Sequence, residues 1–278
     1  MPEIVRIGDA DDPRIAAYRD IRERDLVGRD EMFIAEGEVV LRVLLTRSRH
    51  QAVSVLLAEK RLAGLEPLLA ALPGSVPVYV ANQDILERVA GFPLHRGILA
   101  LGRYAPTPAL DELLADREAR ACVVALFGIA NHDNIGGIFR NAAAFGADAV
   151  LLDGGCCDPL YRKAIRVSVG ATLLVPHARL ARGDDPLTIL ARHAFEPIAL
   201  SPDGHRLLSD WRPGPRNAVL LGAEGPGLSR DLIGRARSVR IAMADDFDSL
   251  NVATTCGIVL HHLTTARRSV GGQSAMPV

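Results

Sequence analysis

The sequence predicts an α/β protein: a C-terminal domain built on a parallel sheet, preceded by a smaller α/β domain. Three observations carry this reading. Short apolar runs alternate with helical segments along most of the chain, the pattern of strand and helix repeats. The runs of the second half are apolar on both faces, as strands covered on both sides of a parallel sheet must be. The stretch YAPTPALDELLADREARA (104–121) breaks the alternation with two prolines and a short charged segment, which marks a boundary. The expected division is a domain over 1–105, a linker over 106–120, a second domain over 121–268 and a tail over 269–278.

In the front half, FIA (33–35), SVLLA (54–58), PVYV (77–80) and GILALG (97–102) read as strands. Between them EGEVVLRVLLTR, KRLAGLEPLLAAL and NQDILERVAG read as helices, with apolar positions such as Val39, Leu41, Val43 and Leu44 keeping helical period in part. After the boundary the strands are ACVVALF (121–127), DAVLL (148–152), TLLV (172–175), PIAL (197–200), AVLLG (218–222) and VRIA (239–242). In a doubly wound sheet the ligand site lies beyond the carboxyl ends of the strands, so the loops after these runs are where chemistry is expected.

Composition narrows the classes further. The 278 residues are 49% hydrophobic and 23% charged, which excludes a disordered, collagen-like or disulfide-scaffold chain. Residues 1–12 hold Glu3, Asp9, Asp11 and Asp12 and no long apolar stretch, unlike a signal peptide. The longest apolar run, 121–130, falls well short of the roughly 18 residues a membrane span needs. The expectation is a cytoplasmic protein with no membrane contact. Cys122, Cys156, Cys157 and Cys256 show no CxxC pair and no zinc-ligand spacing, so they read as free thiols, and no metal is expected. The net charge is −1, so any nucleic-acid binding must rest on local patches rather than on the overall field.

Four segments stand out. In NHDNIGGIFRNAAAFG (131–146), Ile135, Ile138, Phe139 and Ala142 recur at helical spacing, Asp133 or Asn134 can cap the start and Gly146 can end the helix. Arg140 then projects from the opposite face with Gly137, Asn141 and Ala144. LLGAEGPGLS (220–229) is a strand end followed by a glycine-rich loop. Leu228 stands where a phosphate loop needs lysine, and Arg230 where a dinucleotide fingerprint needs its third glycine. The remainder is a loop whose backbone can approach a ligand closely, carrying one carboxylate, Glu224. In IAMADDFDSLNVATTCGIVLHHL (241–263), Asp248 or Ser249 can cap a helix with Ser249 and Asn251 in its first turn; His261 and His262 near its end read as surface residues. In CCDPLYRKAIRVSVGA (156–171), Tyr161, Arg162, Lys163 and Arg166 surround one helix, either as a phosphate contact or as a solvated face.

Taken in order and spacing, Asn134 with Arg140, then GAEGPGL, then DSLNVATTCGI closely resemble the three motifs of the SpoU (TrmH-like) RNA 2′-O-ribose methyltransferases of the SPOUT class. The resemblance covers 121 to about 266, and FIAEGEVVLRVLL with PVYVANQDILERVAGFPLHRGILALGR resembles the RNA-substrate-binding domain that precedes it in many bacterial members. It implies an α/β domain threaded as a trefoil knot, an exception to unknotted topology. It also implies S-adenosylmethionine as cofactor, held near Leu200, Gly222, Ile241, Met243 and Leu250, and a homodimer. The implied catalytic set is Asn134, Arg140, Glu224, Ser249 and Asn251. The sequence departs from the pattern where Ile241 is followed by Ala242 instead of proline, and where NHDN replaces a proline and glycine before Asn134.

The chemistry so implied is an in-line methyl displacement, in which geometry carries much of the burden. The cofactor brings its own electrophile, so the difficulty is a 2′-hydroxyl that stays protonated near neutral pH. Arg140 is the expected activator, as an electrostatic stabiliser, or as a base only if RNA phosphate and burial alter it. Asn134 would position Arg140 or the ribose, Ser249 and Asn251 would hold the substrate and proton path, and Glu224 would order the loop. Acidic and basic residues nearly balance over 1–106. RNA recognition there is therefore expected to rest on shape and a few arginines: Arg22, Arg24, Arg29, Arg47 and Arg49. The implied partner is RNA, rRNA before tRNA. Two other readings stand beside this one. A non-catalytic RNA-binding relative in ribosome assembly is opposed by the joint presence of the five catalytic residues. A nucleotide-dependent dehydrogenase is opposed by the missing glycine fingerprint.

Overall fold

A computed structural model of the chain describes residues 2–19, 31–91, 94, 96–115, 120–244 and 249–270, without the side chains of 267–270. Arg22, Arg24, Arg29, Asp248 and most of the expected tail lie outside the described residues. The elements run β1 (Ile4–Arg6), β2 (Met32–Glu36), α1 (Glu38–Thr46), β3 (Gln51–Ala58), α2 (Leu62–Leu69), β4 (Val78–Ala81), α3 (Gln83–Ala90) and β5 (Ile98–Arg103). They continue with α4 (Leu110–Leu114), β6 (Ala121–Phe127), α5 (His132–Phe145), β7 (Ala149–Leu152), α6 (Arg162–Val167) and β8 (His177–Arg179). The last are α7 (Pro186–Arg192), β9 (Glu196–Leu200), β10 (Arg206–Leu207), β11 (Arg216–Gly222), α8 (Arg230–Arg235), β12 (Arg237–Arg240) and α9 (Val252–Val270).

Two compact units result: Met1–Pro106 with Asp158–Leu174, and Thr107–Cys157 with Val175–Val278. The excursion Asp158–Leu174, which the sequence reading places with the second domain, packs with the first. Its α6 lies against β2, where Arg162 donates to the Glu36 carboxylate at 2.7 Å and Arg166 approaches it at 3.9 Å. Glu36 is only 6% exposed, and a buried carboxylate needs such a counter-charge. Arg162 is therefore committed to a counter-charge inside the unit, while Lys163 and Arg166 stay exposed on the same helix.

The first unit holds a five-stranded sheet in the order β1-β4-β3-β5-β2. β1, β4 and β3 are mutually parallel, while β5 runs antiparallel to both β3 and β2. Successive side chains of a strand point to opposite faces, and β3 shows it: Val55 and Leu57 enter one core with Leu41, Leu65 and Ile165, whereas Leu56 enters the other with Ile15, Leu86 and Leu99. Both faces are covered, which is why β3 reads as a continuous apolar run. β1 has no counterpart in the sequence reading; three residues at a sheet edge, with half-exposed or exposed side chains, leave no apolar periodicity.

The second unit is a seven-stranded, wholly parallel sheet in the order β10-β12-β9-β11-β6-β7-β8. One face packs on Leu187, Leu190 and Leu232. The segment TLLV, expected as a strand, is instead a 3₁₀ turn over Ala171–Leu173, and the strand lies at His177–Arg179. Leu173 packs into the first unit's core; a short apolar run reports burial, not the element that provides it. β12 begins at Arg237 and ends at Arg240, two residues short of the expected end, which frees Ile241 and Ala242 for the following loop. His262 is half-buried rather than on the surface and stacks on Trp211, with ring centroids 5.8 Å apart.

α5 and α9 pack closely together. The cap of α5 is Asn131, which accepts from the Asp133 N–H at 2.8 Å, and not Asp133 or Asn134; Gly146 ends the helix at φ 68°. Gly137 belongs to the packed face: a Cβ there would come 2.7 Å from the Ala253 Cβ. Asn141 donates to the Ala253 carbonyl at 2.7 Å. The face that carries Arg140 is thus half consumed by α9, with Arg140 itself left exposed.

Candidate active site

Strands β12, β9 and β11 are neighbours and run in the same direction, so their carboxyl ends at Arg240, Leu200 and Gly222 lie side by side. The loops that leave them surround a cavity of about 360 Å³, within the size range of small-ligand sites. Leu200, Gly222, Ile241, Met243 and Leu250 all line it, as do Glu224 and Ser249. Ser201, Pro202 and Thr255 line it too and were not singled out from sequence. The first two follow a strand's carboxyl end, and Thr255 sits four residues, one helical turn, after Asn251. Both signals were available.

The wall from β11 is a fold-back of the glycine loop. Ala223 and Gly227 pair across it, with the Gly227 N–H on the Ala223 carbonyl at 2.9 Å. Gly222 faces this return so closely that a Cβ would come 2.2 Å from the Gly227 carbonyl carbon. Only hydrogen fits there. Most of the lining is aliphatic side chain or backbone, a surface suited to a ligand with an apolar body held by a few placed polar groups.

The polar side of the site is organised by Asn251. Its Oδ1 accepts from the Ala253 and Thr254 N–H groups at 2.9 and 3.2 Å, which caps α9. Its Nδ2 donates to Asn134 Oδ1 at 2.8 Å and to Glu224 Oε1 at 3.0 Å. Asn251 therefore precedes α9 as its cap instead of sitting in the first turn, and Ser249 lies two residues further upstream. Three of the five expected catalytic residues, from three separate segments, form one hydrogen-bonded cluster, and Ser249 borders the same cavity. Arg140 is not drawn into it: the side chain is exposed, with no hydrogen bond or ion pair to any described residue.

Two thiols of this unit, Cys156 and Cys256, are poor nucleophiles. Burial pushes the Cys156 thiol up to about 12 and the Cys256 thiol higher still, so neither is a thiolate near neutral pH. Among the described residues no three His, Cys, Asp or Glu side chains are grouped to hold a metal ion, and no helix is long and apolar enough to cross a membrane.

Comparison with known proteins now bears on this geometry. The model of the SpoU rRNA Methylase family matches residues 121–261. The chain belongs to that family. An uncharacterized tRNA/rRNA methyltransferase of Mycobacterium bovis is 37% identical over 278 residues, spanning 97% of this chain and 94% of the relative. Among solved structures, the SpoU methyltransferase AviRb of Streptomyces viridochromogenes, in complex with AdoMet, superposes with a TM-score of 0.74 at 21% identity, covering 94% of this chain and 100% of that one. An RNA 2′-O ribose methyltransferase superposes at 0.73 with 23% identity, covering 95% and 99%. These two likenesses show the α/β fold with its parallel-strand sheet, and the family match covers the segment that builds the cavity and the Asn251 cluster.

Proposed function

We propose that the protein is an S-adenosylmethionine-dependent methyltransferase acting on a ribose 2′-hydroxyl of RNA, with rRNA its substrate ahead of tRNA. The observation that carries this reading is the cavity at the carboxyl ends of β9, β11 and β12, bordered by the Asn134–Asn251–Glu224 cluster. Family membership supports RNA methylation, the AdoMet complex of AviRb supports the donor, and the relative described as a 2′-O ribose methyltransferase supports the position.

The residues fit such a donor. Leu200, Ile241, Met243 and Leu250 would enclose its apolar parts, and the backbone around Gly222 would come close because no Cβ intervenes. When bound, S-adenosylmethionine supplies an activated methyl group on sulfonium sulfur. The protein's share is to orient the ribose, exclude water and handle the hydroxyl proton. Ser249, on the cavity rim, would hold the sugar. Arg140, a permanent cation, would contact RNA phosphate and stabilise negative charge as it develops.

The proposal includes a trefoil knot. Its support is the SpoU motif set, which lies within the segment that the family model matches. It also includes a cytoplasmic homodimer, for which exposed Ile258 on α9 offers an apolar anchor. Light scattering reads the dimer directly.

The test is in-vitro methylation with labelled S-adenosylmethionine, offering total rRNA and tRNA separately, followed by mapping of the modified nucleotide. Label on one rRNA ribose is expected. Failure of the protein to take up the donor, or label on a base, overturns the reading.

A further inference from the structure

We infer that Glu224 is the group that accepts the proton of the ribose hydroxyl, and that Asn251 is a positioning residue holding Glu224 and Asn134 as an acceptor and donor pair. This rests on the reading above and assigns the one step it leaves open.

The orientation of the Asn251 amide is set by its main-chain partners. Main-chain N–H groups only donate, so the atom capping α9 through Ala253 and Thr254 is the oxygen. The amide cannot flip without leaving two helix N–H groups unmet. Its two N–H bonds then go to Asn134 Oδ1 and Glu224 Oε1. Every side-chain hydrogen-bonding group of Asn251 is spent inside the protein, so its side chain has nothing left for a substrate.

Its partners are left with complementary remainders. Asn134, 6% exposed, has one lone pair of its oxygen taken by Asn251, and its Nδ2 donors make no hydrogen bond to any described residue. Glu224 has one oxygen held and Oε2 without a hydrogen bond to any described residue. It is also the one ionisable side chain among the described residues lining the cavity. A neutral amide fixes this carboxylate without neutralising it, and no cation is paired with it among the described residues. Arg140 offers the opposite: a guanidinium carries no free lone pair for a proton while it remains charged.

In the transfer, a lone pair of the 2′-oxygen forms the new O–C bond. The C–S bond breaks with its pair kept by sulfur, which becomes a neutral thioether. The hydroxyl proton passes to Glu224 Oε2 and from there to water. Charge balances, since one sulfonium is discharged and one carboxylate protonated. Asn134 Nδ2 donates to the oxygen while its charge builds.

The test is Glu224→Gln, whose side-chain oxygen can still accept from Asn251 but cannot take a proton. Calorimetry of the variant with S-adenosylmethionine is expected to give an affinity within about twofold of the parent, since the inference assigns Glu224 no role in holding the donor. Single-turnover transfer should fall by about 10²- to 10⁴-fold, the usual range for a general base. Asn251→Ala should lower the turnover rate with RNA affinity retained. A Glu224→Gln variant that keeps the parental rate overturns the inference. A variant that loses donor binding along with activity also overturns it, by making Glu224 a binding residue. Parent protein that neither binds donor nor labels RNA defeats the underlying reading instead.

Discussion

The two sheets use the same device and reach different ends. In the first unit β1, β4 and β3 are adjacent and parallel, so three carboxyl ends line up there as they do at β12, β9 and β11 in the second. Yet the polar groups at the first edge are consumed at once. Arg6 pairs with Glu59, and Asn82 accepts from the Ile85 N–H at 2.8 Å to cap α3. A 3₁₀ turn follows β3 directly, and α3 starts at Gln83, one residue beyond Asn82. In the second unit, α8 does not begin until Arg230 after β11 ends at Gly222, nor α9 until Val252 after β12 ends at Arg240. Long loops leave room for a cavity and leave Glu224 and Ser249 uncommitted to helix capping. Parallel polarity creates a place for a site at both edges, and the long loops of the second bring uncommitted polar groups to it.

The largest expected effect separates stability from function. Leu57→Ala, at a fully buried position in the first unit, should cost about 2–5 kcal/mol in denaturant unfolding. Binding of S-adenosylmethionine by the folded fraction should be unchanged, and lost binding would break the distinction between the edges. Next, Gly222→Ala should cost about 3 kcal/mol, because the new methyl meets backbone rather than a yielding side chain. Here donor binding, read by calorimetry, should fall with stability. Arg140→Lys keeps the charge and loses the planar fork; methyl transfer should drop about tenfold with the melting temperature unmoved, and parental turnover would count against a role for Arg140.

The smallest effect concerns Asp185, which caps α7 and bonds Arg235 at 2.6 Å. The Arg235 guanidinium and then the Thr188 hydroxyl hold its carboxyl at about 2. A depressed folded-state value means the stabilisation is complete above the unfolded carboxylate value of about 4 and is lost as pH falls toward 2. Melting of Asp185→Asn should therefore lie below the parent at neutral pH, and the gap should close across that acid window. A constant gap would sharpen the view that this edge is held by geometry and not by charge.

Much of this was legible in advance because it is local. The alternation of runs and helices follows from side-chain periodicity, and the stop at Gly146 and the missing phosphate-loop lysine are fixed by single residues. The motif order placed Leu200, Gly222, Ile241, Met243 and Leu250 near one cofactor, and all five border one cavity. What was misread is what depends on partners distant in the chain. Arg162 looked free because Glu36 lies 126 residues away. Gly137 was placed on the face opposite the apolar positions because Ala253 is its neighbour only after folding.

By itself, then, the sequence determined the element types of most segments, the polarity of the second sheet and the chemical inventory of the site. Periodicity and residue chemistry are properties of the chain. Only the tertiary structure decided that Asn251 caps a helix with its oxygen while its nitrogen grips Asn134 and Glu224, and that Arg140 stands apart. A hydrogen bond has direction, and direction exists only once the backbones that carry donor and acceptor have been brought together.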